Sequence, residues 1–479
     1  MPMDERRATS WARAAFSGAD LGHAARSGRA VRFAAKMMQS PAASIPTLCG
    51  SKSAAKAAYM LLQNEEVTHE ALLEAVFEQT AARCASQACG VLAIQDTMTA
   101  SFGGVEDREG LGPVNDQERT KGFLVHTALA LHAGTHEVLG VLDQHVWSRS
   151  SDKRPRDESA WHRRKRSRES ERWSQMESNV ARRLPSNHVI AVFDREGDIF
   201  EVFETLDELQ HSFVIRATQN RLVAGDVDEV HYSLDHARAA PIVTHRTIEV
   251  PARGGGRGAR VAHLQIRATR VSVQPPKNRD RQGTAQWMNV VLVEETNPPS
   301  KKEALCWFLL TREPIDTAEQ VLFVVGCYEA RWKIEEFHMG LKTGCSLEAR
   351  QLTSDHRLKN FLAFATAIAC ELLKLRDASR RTDLQACDVL TPIQLEILRE
   401  THPRITSAST ALVTLKAVAE LGGFYGSNKD KRPGWRTLWT GFRQIVEKEK
   451  GYLLALRKTD PQAWAAAISL TPAHRIGEP

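Results

Sequence analysis

HVIAVFDREGD, residues 188–198, holds an unbroken apolar run that stops on Asp194, and GVLAIQDT, residues 90–97, does the same ahead of Asp96. Segments apolar at every position suit strands in the buried middle of a sheet covered on both faces. Each should therefore carry a carboxylate to the rim of a hydrophobic sheet, where its lost hydration must be compensated. A single aspartate so placed commonly caps a turn. Two, ending equivalent strands, suit a bound cation.

Around these runs, FLVHTALALHA (123–133) and EVLGVLDQHVW (137–147) are separated by a few residues including Gly134, which predicts a hairpin. Helices should cover the sheet. Farther on, FVIRAT, IVTHRTIEV, VAHLQIRATRVSV, MNVVLVEE and CWFLLT make residues 213–311 a second β-rich section, placed as an insertion. Its glycine cluster ARGGGRGAR (252–260) matches neither phosphate-binding fingerprint and reads as a hairpin tip. Upstream, WARAAF, AVRFAAKMM and SKSAAKAAYMLL are helical, with Ser51 placed to cap the third. The expected product is a small helical domain exposing Arg26, Arg29 and Lys52 toward DNA. Downstream, Asp316 and Glu319 have the look of a helix start, Gly326 of a break, and helical segments continue to about residue 456 as a dimerisation or scaffolding region.

With 42% hydrophobic and 25% charged residues, the 479-residue chain has a globular balance rather than that of a disordered one. A formal charge of +6 is small for this length, so where the charge sits matters more. Basic residues gather at 26–36 and more densely at 153–172, where Arg163, Arg164, Lys165 and Arg166 are contiguous. A solvated loop and a nucleic-acid patch both fit that run. Eight single cysteines without a CxxC pair suit free thiols in a reduced cytoplasm. No stretch of about 20 apolar residues predicts a membrane span, and the N-terminal residues lack the apolar core of a secretory signal.

The third candidate element is YEARWKIEEFHMGLK, residues 328–342. On a regular helix Tyr328, Arg331, Glu335 and Lys342 share a sector of about 60°. A salt-bridged surface face would explain that, but the two aspartates point further. Asp96, Asp194 and Glu335 together are oxygen ligands suited to two Mg²⁺ ions, with Mn²⁺ a possible substitute. Two ions about 4 Å apart activate a water or 3′ hydroxyl and stabilise the leaving oxygen in phosphoryl transfer. Arg331 would grip phosphate as a fork and Lys342 as a point charge.

The pattern Y-x2-R-x3-E-x6-K at Tyr328, Arg331, Glu335 and Lys342, with QDT at Asp96 and DREGD at Asp194, resembles the DDE transposases of the insertion-sequence-four family. ETNPP followed by CWFLLT, RWKIEEFH, VLTP from Val389, and LGGF from Leu421 followed by Trp435 and Trp439 extend the resemblance over much of the chain. It implies an α/β fold with an RNase H-like catalytic core over 76–370 and the β-rich insertion at about 213–311. An N-terminal helical DNA-end-binding domain over 1–75 and a C-terminal helical dimerisation region over 371–479 would complete it. It also implies cut-and-paste chemistry on double-stranded DNA by a homodimer: nicking, hairpin formation and opening, then joining to target. Trp307 matches the position that stacks on a flipped base. Tyr328 and Arg331 would hold the adjacent phosphate, and Arg216 matches a DNA-contacting position. The basic segment between the two aspartates looks longer and more charged than the family pattern.

Three other functions share part of this evidence. An RNase H-like nuclease would use the same carboxylates without joining strands, and a non-catalytic inhibitory relative would bind ends without cutting. A glycosidase would use paired carboxylates but explains neither Lys342 nor the basic runs.

Overall fold

The computed structural model describes residues 5–103, 108–114, 120–150, 169–224, 231–250, 259–276, 284–300, 304–378, 383–426 and 433–469. The basic run at 153–168 and most of the glycine cluster lie outside these residues.

Five helices come first: α1 (Glu5–Phe16), α2 (Ala24–Gln39), α3 (Ile45–Cys49), α4 (Lys52–Leu62) and α5 (His69–Ala85). Ser51 caps α4 as its sequence predicts, accepting from the Ala54 amide at 3.2 Å. The chain then enters the sheet with β1 (Val91–Ser101), β2 (Gly112–Pro113), β3 (Lys121–His132) and β4 (Val138–Trp147). Helix α6 (Glu171–Arg183) leads to β5 (Val189–Phe193), and α7 (Phe200–Glu208) to β6 (Ser212–Arg216). β3 and β4 form the expected hairpin, and β3 runs antiparallel to β1 along its length, from Val91 opposite His132 to Ser101 opposite Gly122. β5 is parallel to β1, and β6 parallel to β5. Across this half the order is β4-β3-β1-β5-β6.

The β-rich section extends the same sheet. After the short β7 (Leu222–Val223), β8 (His231–Tyr232) and α8 (Ser233–Ala239) come β9 (Ile242–Val250), β10 (Arg260–Val273), β11 (Gln286–Glu295) and β12 (Cys306–Thr311). β12 returns to pair antiparallel with β6, so the excursion begins after Arg216 and continues outward as β12-β11-β10. The strand in FVIRAT belongs by its pairing with β5 to the first half of the sheet.

Past the sheet lie α9 (Ala318–Ala330), α10 (Trp332–Met339), the long α11 (Asp355–Ala378), and α12 (Ala386–Val389) to α16 (Pro461–Ser469). The cap of α9 is Thr317, not Asp316: its hydroxyl accepts from the Gln320 amide at 3.3 Å while Gln320 Oε1 accepts from the Thr317 amide at 3.1 Å. This is a reciprocal capping box one residue later than the acidic spacing suggested. Gly326 does not break α9. The break comes at Arg331, whose amide bonds Tyr328 O at 3.1 Å, and whose own carbonyl takes the Ile334 amide at 3.1 Å. Bonds over three residues tighten the chain there. Residues Gly340–Gly344 then open into a π turn closed by the Cys345 amide on Gly340 O at 2.9 Å. The uniform helix expected over 328–342 is therefore three differently wound pieces.

α11 is the central strut. Phe364 packs 5.0 Å from both Phe16 and Phe33, so the N-terminal helices share one apolar core with the sheet and α11. The C-terminal helices gather a separate core around Leu398, Leu415, Leu438 and Phe442.

Candidate active site and nucleic-acid interface

Asp96 does not end its strand as the sequence suggested. β1 continues to Ser101 because β3 supplies hydrogen-bonding partners as far as Gly122, whereas pairing with β5 stops at Ile94 opposite Val192. Two residues beyond that last pair lie Asp96, still within β1, and Asp194, the first residue past β5. Equal offsets from the last pair bring the two carboxylates close enough for the charge of Asp194 to be felt at Asp96. The carboxylates therefore stand at the crevice where β5 ends. Asp194 accepts the Glu196 amide at 2.8 Å and caps the turn Arg195–Gly197; Asp96 Oδ1 accepts the Thr97 amide at 2.8 Å. Burial, reinforced by the negative charge of Asp194, pushes the Asp96 carboxyl up to about 7.

Arg331, at the break between α9 and α10, reaches into this crevice. Its Nη1 lies 3.8 Å from Asp96 Oδ2, and its Nη2 donates to Glu335 Oε1 at 2.5 Å. His338, one turn past Glu335, places Nδ1 4.0 Å from Asp96 Oδ2. Burial, and then the charges of Lys342 and Arg331, depress its imidazole to about 3, so it is neutral at pH 7. Lys342 on the π turn lies 3.4 Å from Glu348 Oε1, which also accepts the Ser101 amide at 2.9 Å. Lys342 is thus tied to the far end of β1.

A second cluster adjoins the first through Arg331, whose guanidinium lies 5.9 Å from the Tyr328 ring centroid. Trp307 on β12 packs against Tyr328 with centroids 5.8 Å apart at 60°. Arg216, at the end of β6, approaches Tyr328 Oη at 3.5 Å and donates to Cys306 O at 3.0 Å. Asp96, Asp194, Tyr328, Arg331, Glu335, Trp307 and Arg216 therefore lie in one connected neighbourhood, with Tyr328 buried within it and Lys342 at its margin.

Several residues of this neighbourhood escaped the sequence analysis. Arg172, on α6, donates to Thr97 Oγ1 at 3.0 Å and Glu196 at 2.6 Å. Beneath it, the Thr97 hydroxyl meets His126 at 2.8 Å, His126 meets Gln95 at 3.1 Å, and Gln95 donates to the fully buried Glu177 at 2.5 Å. Such a polar chain under a carboxylate pair holds β1 in place on its inner side. No local pattern announced it. His338 was within reach, since its spacing from Glu335 puts both on one helix face.

Among the described residues no three His, Cys, Asp or Glu side chains are gathered closely enough to hold a metal ion, and Glu335 is bonded to Arg331. The donor set still fits a hard divalent cation: two carboxylates of like charge share one crevice, where burial and then the charge of Asp194 raise Asp96 despite the nearby Arg331.

Away from this surface, Arg29 and Lys52 are exposed, as expected. Arg26 is not: half-buried, it pairs with Glu66 and donates to Leu21 O at 2.8 Å, so its charge is used inside the helical region. All three belong to a segment with a recognisable counterpart. Residues 8–67 match the family described as transposase DNA-binding. The matched region runs from within α1 to just beyond α4. A solved neighbour is the cryo-EM structure of the piggyBac transposase synaptic complex with hairpin DNA, at 11% identity and a TM-score of 0.32. That alignment covers 83% of this chain, which spans 61% of the neighbour's length. No helix among the described residues is long and apolar enough to cross a membrane.

Proposed function

We propose that the chain is a DDE transposase of the insertion-sequence-four type, resembling the transposon Tn-five transposase, that cuts and joins double-stranded DNA. The observation that carries this is the matched register of Asp96 and Asp194 beside Arg331 and Glu335, in a chain whose residues 8–67 match transposase DNA-binding. An RNase H-like core is supported by the order β4-β3-β1-β5-β6, with three antiparallel strands followed by two parallel ones.

Asp96, Asp194 and Glu335 would hold two Mg²⁺ ions, or Mn²⁺ in their place. Bound there, the ions supply Lewis acidity to the attacking and leaving oxygens of an in-line displacement. Glu335 would exchange its bond to Arg331 for that role, freeing the guanidinium for a bidentate grip on a DNA phosphate. Tyr328 and Arg216 flank the same phosphate track, Lys342 extends it, and Trp307 offers a face for a base taken out of the duplex during hairpin formation. Arg29 and Lys52 would contact the transposon end. The C-terminal helices would join two copies on DNA. The enzyme would act in the bacterial cytoplasm, at the nucleoid.

The test is incubation of purified protein with Mg²⁺ and labelled DNA carrying the inverted repeats that flank its gene, resolved on a denaturing gel. Nicks, then hairpins at the repeat boundary, then joined products are expected. Cleavage without hairpins or joining would instead indicate a nuclease, and binding without cleavage an inhibitory end-binding protein.

A further inference from the structure

We propose that Arg350 is a positioning residue that locks the transposase DNA-binding region onto the segment carrying Glu335 and Lys342, and so sets which phosphodiester of a bound end is cut. This rests on the transposase function proposed above.

Arg350 follows the short turn Leu347–Ala349 and is 6% exposed. Its Nη1 donates to Ala43 O at 2.5 Å, and its Nη2 donates to Pro41 O at 2.7 Å and Cys345 O at 2.5 Å. Pro41 and Ala43 form the link between α2 and α3, inside the matched region 8–67. Cys345 closes the π turn on which Lys342 sits. One guanidinium thus joins carbonyls of the end-binding segment to the last turn of the candidate catalytic helix, with its flat face 4.4 Å from the Phe361 centroid.

The bonding is unusual for a merely cohesive contact. Among the described residues no carboxylate pairs with Arg350, and its Nε is buried without a hydrogen-bond partner. Burying a guanidinium on neutral acceptors is costly, and a packed apolar side chain would hold the two layers together as well. What the planar fork adds is direction, since it fixes three carbonyls from two segments in one geometry. A separate grip comes from α11, where Asn360 donates to Leu62 O at 3.0 Å and Val67 O at 2.5 Å. That grip holds the end of α4 but makes no bond to the π turn, so Arg350 is the link that transmits register to Lys342.

Arg350→Met and Arg350→Lys test the idea on labelled duplexes carrying the inverted repeats that flank the gene, with Mg²⁺. Affinity is measured by titration and cut position at single-nucleotide resolution. Arg350→Met should bind ends about as the unaltered chain does, yet nick them on the order of a hundredfold more slowly, because displacement of about 1 Å at a reacting centre costs that much. Its cuts should also spread to neighbouring phosphodiesters, a change that loss of stability alone would not cause. Arg350→Lys, which keeps the charge but not the fork, should fall between, and decides the matter if the methionine variant does not fold. Cuts at the native position in a folded variant, with binding and nicking reduced together or both unchanged, would overturn the positioning role. Failure of the unaltered chain to cut any of these duplexes overturns the transposase function, and this role with it.

Discussion

Arg331 holds Glu335 by a 2.5 Å hydrogen bond, and the same guanidinium stands 3.8 Å from Asp96. A cation fixed in the chain thus sits between two of the three carboxylates proposed to hold metal. Under the proposed function, metal would take over the carboxylates and a DNA phosphate the guanidinium.

Replacing Glu335 with alanine should abolish Mg²⁺-dependent cleavage and leave end binding nearly unchanged, because the role proposed for the lost group is to hold metal rather than DNA. Mobility shift and cleavage assays on one preparation check this. Loss of both would show that the Glu335–Arg331 bond supports the fold.

Trp307→Ala should slow hairpin formation more than the first nick. Stacking of a base on an aromatic ring contributes about 1–3 kcal/mol, so the hairpin step should fall roughly tenfold or more. Single-turnover kinetics of the two steps separate them, and equal slowing would remove the stacking role. Trp307 also packs on Tyr328, so a stability control accompanies the kinetics.

End binding should weaken steeply and linearly on a log-log plot as salt rises, because phosphate contacts release counterions. A flat response in a titration series would argue against phosphate contacts by Arg29, Lys52 or the candidate active-site surface.

The C-terminal helices α14 (Ala411–Leu421) and α15 (Trp435–Thr459) touch backbone to backbone: a Cβ on Gly441 would lie 1.7 Å from Val418 O. Gly441→Val should therefore cost about 1–3 kcal/mol through overpacking, seen as a lower melting temperature. An unchanged melting curve would show that this contact yields freely.

Much of the sheet was legible in the sequence because its signals are local. Continuous apolar runs marked β1 and β5, and the hairpin of β3 and β4 followed from two runs with a short polar gap. What escaped was set by distant partners. β1 outlasts Asp96 only because β3 runs beside it, and β12 rejoins β6 across about ninety residues of chain, which no local pattern records. The spacing of Tyr328, Arg331, Glu335 and Lys342 anticipated one helical stretch, but not the tightening at Arg331 or the π turn at Lys342, since both depend on packing against the rest of the fold. Arg26 looked free in the sequence because its partner, Glu66, lies forty residues away.

The most direct test of the central claim compares the unaltered chain with Asp194→Ala on end DNA with and without Mg²⁺, measuring the first nick at the repeat boundary. The account predicts a Mg²⁺-dependent nick that disappears in the variant while end binding persists. A nick that survives Asp194→Ala, or that needs no divalent ion, would contradict it.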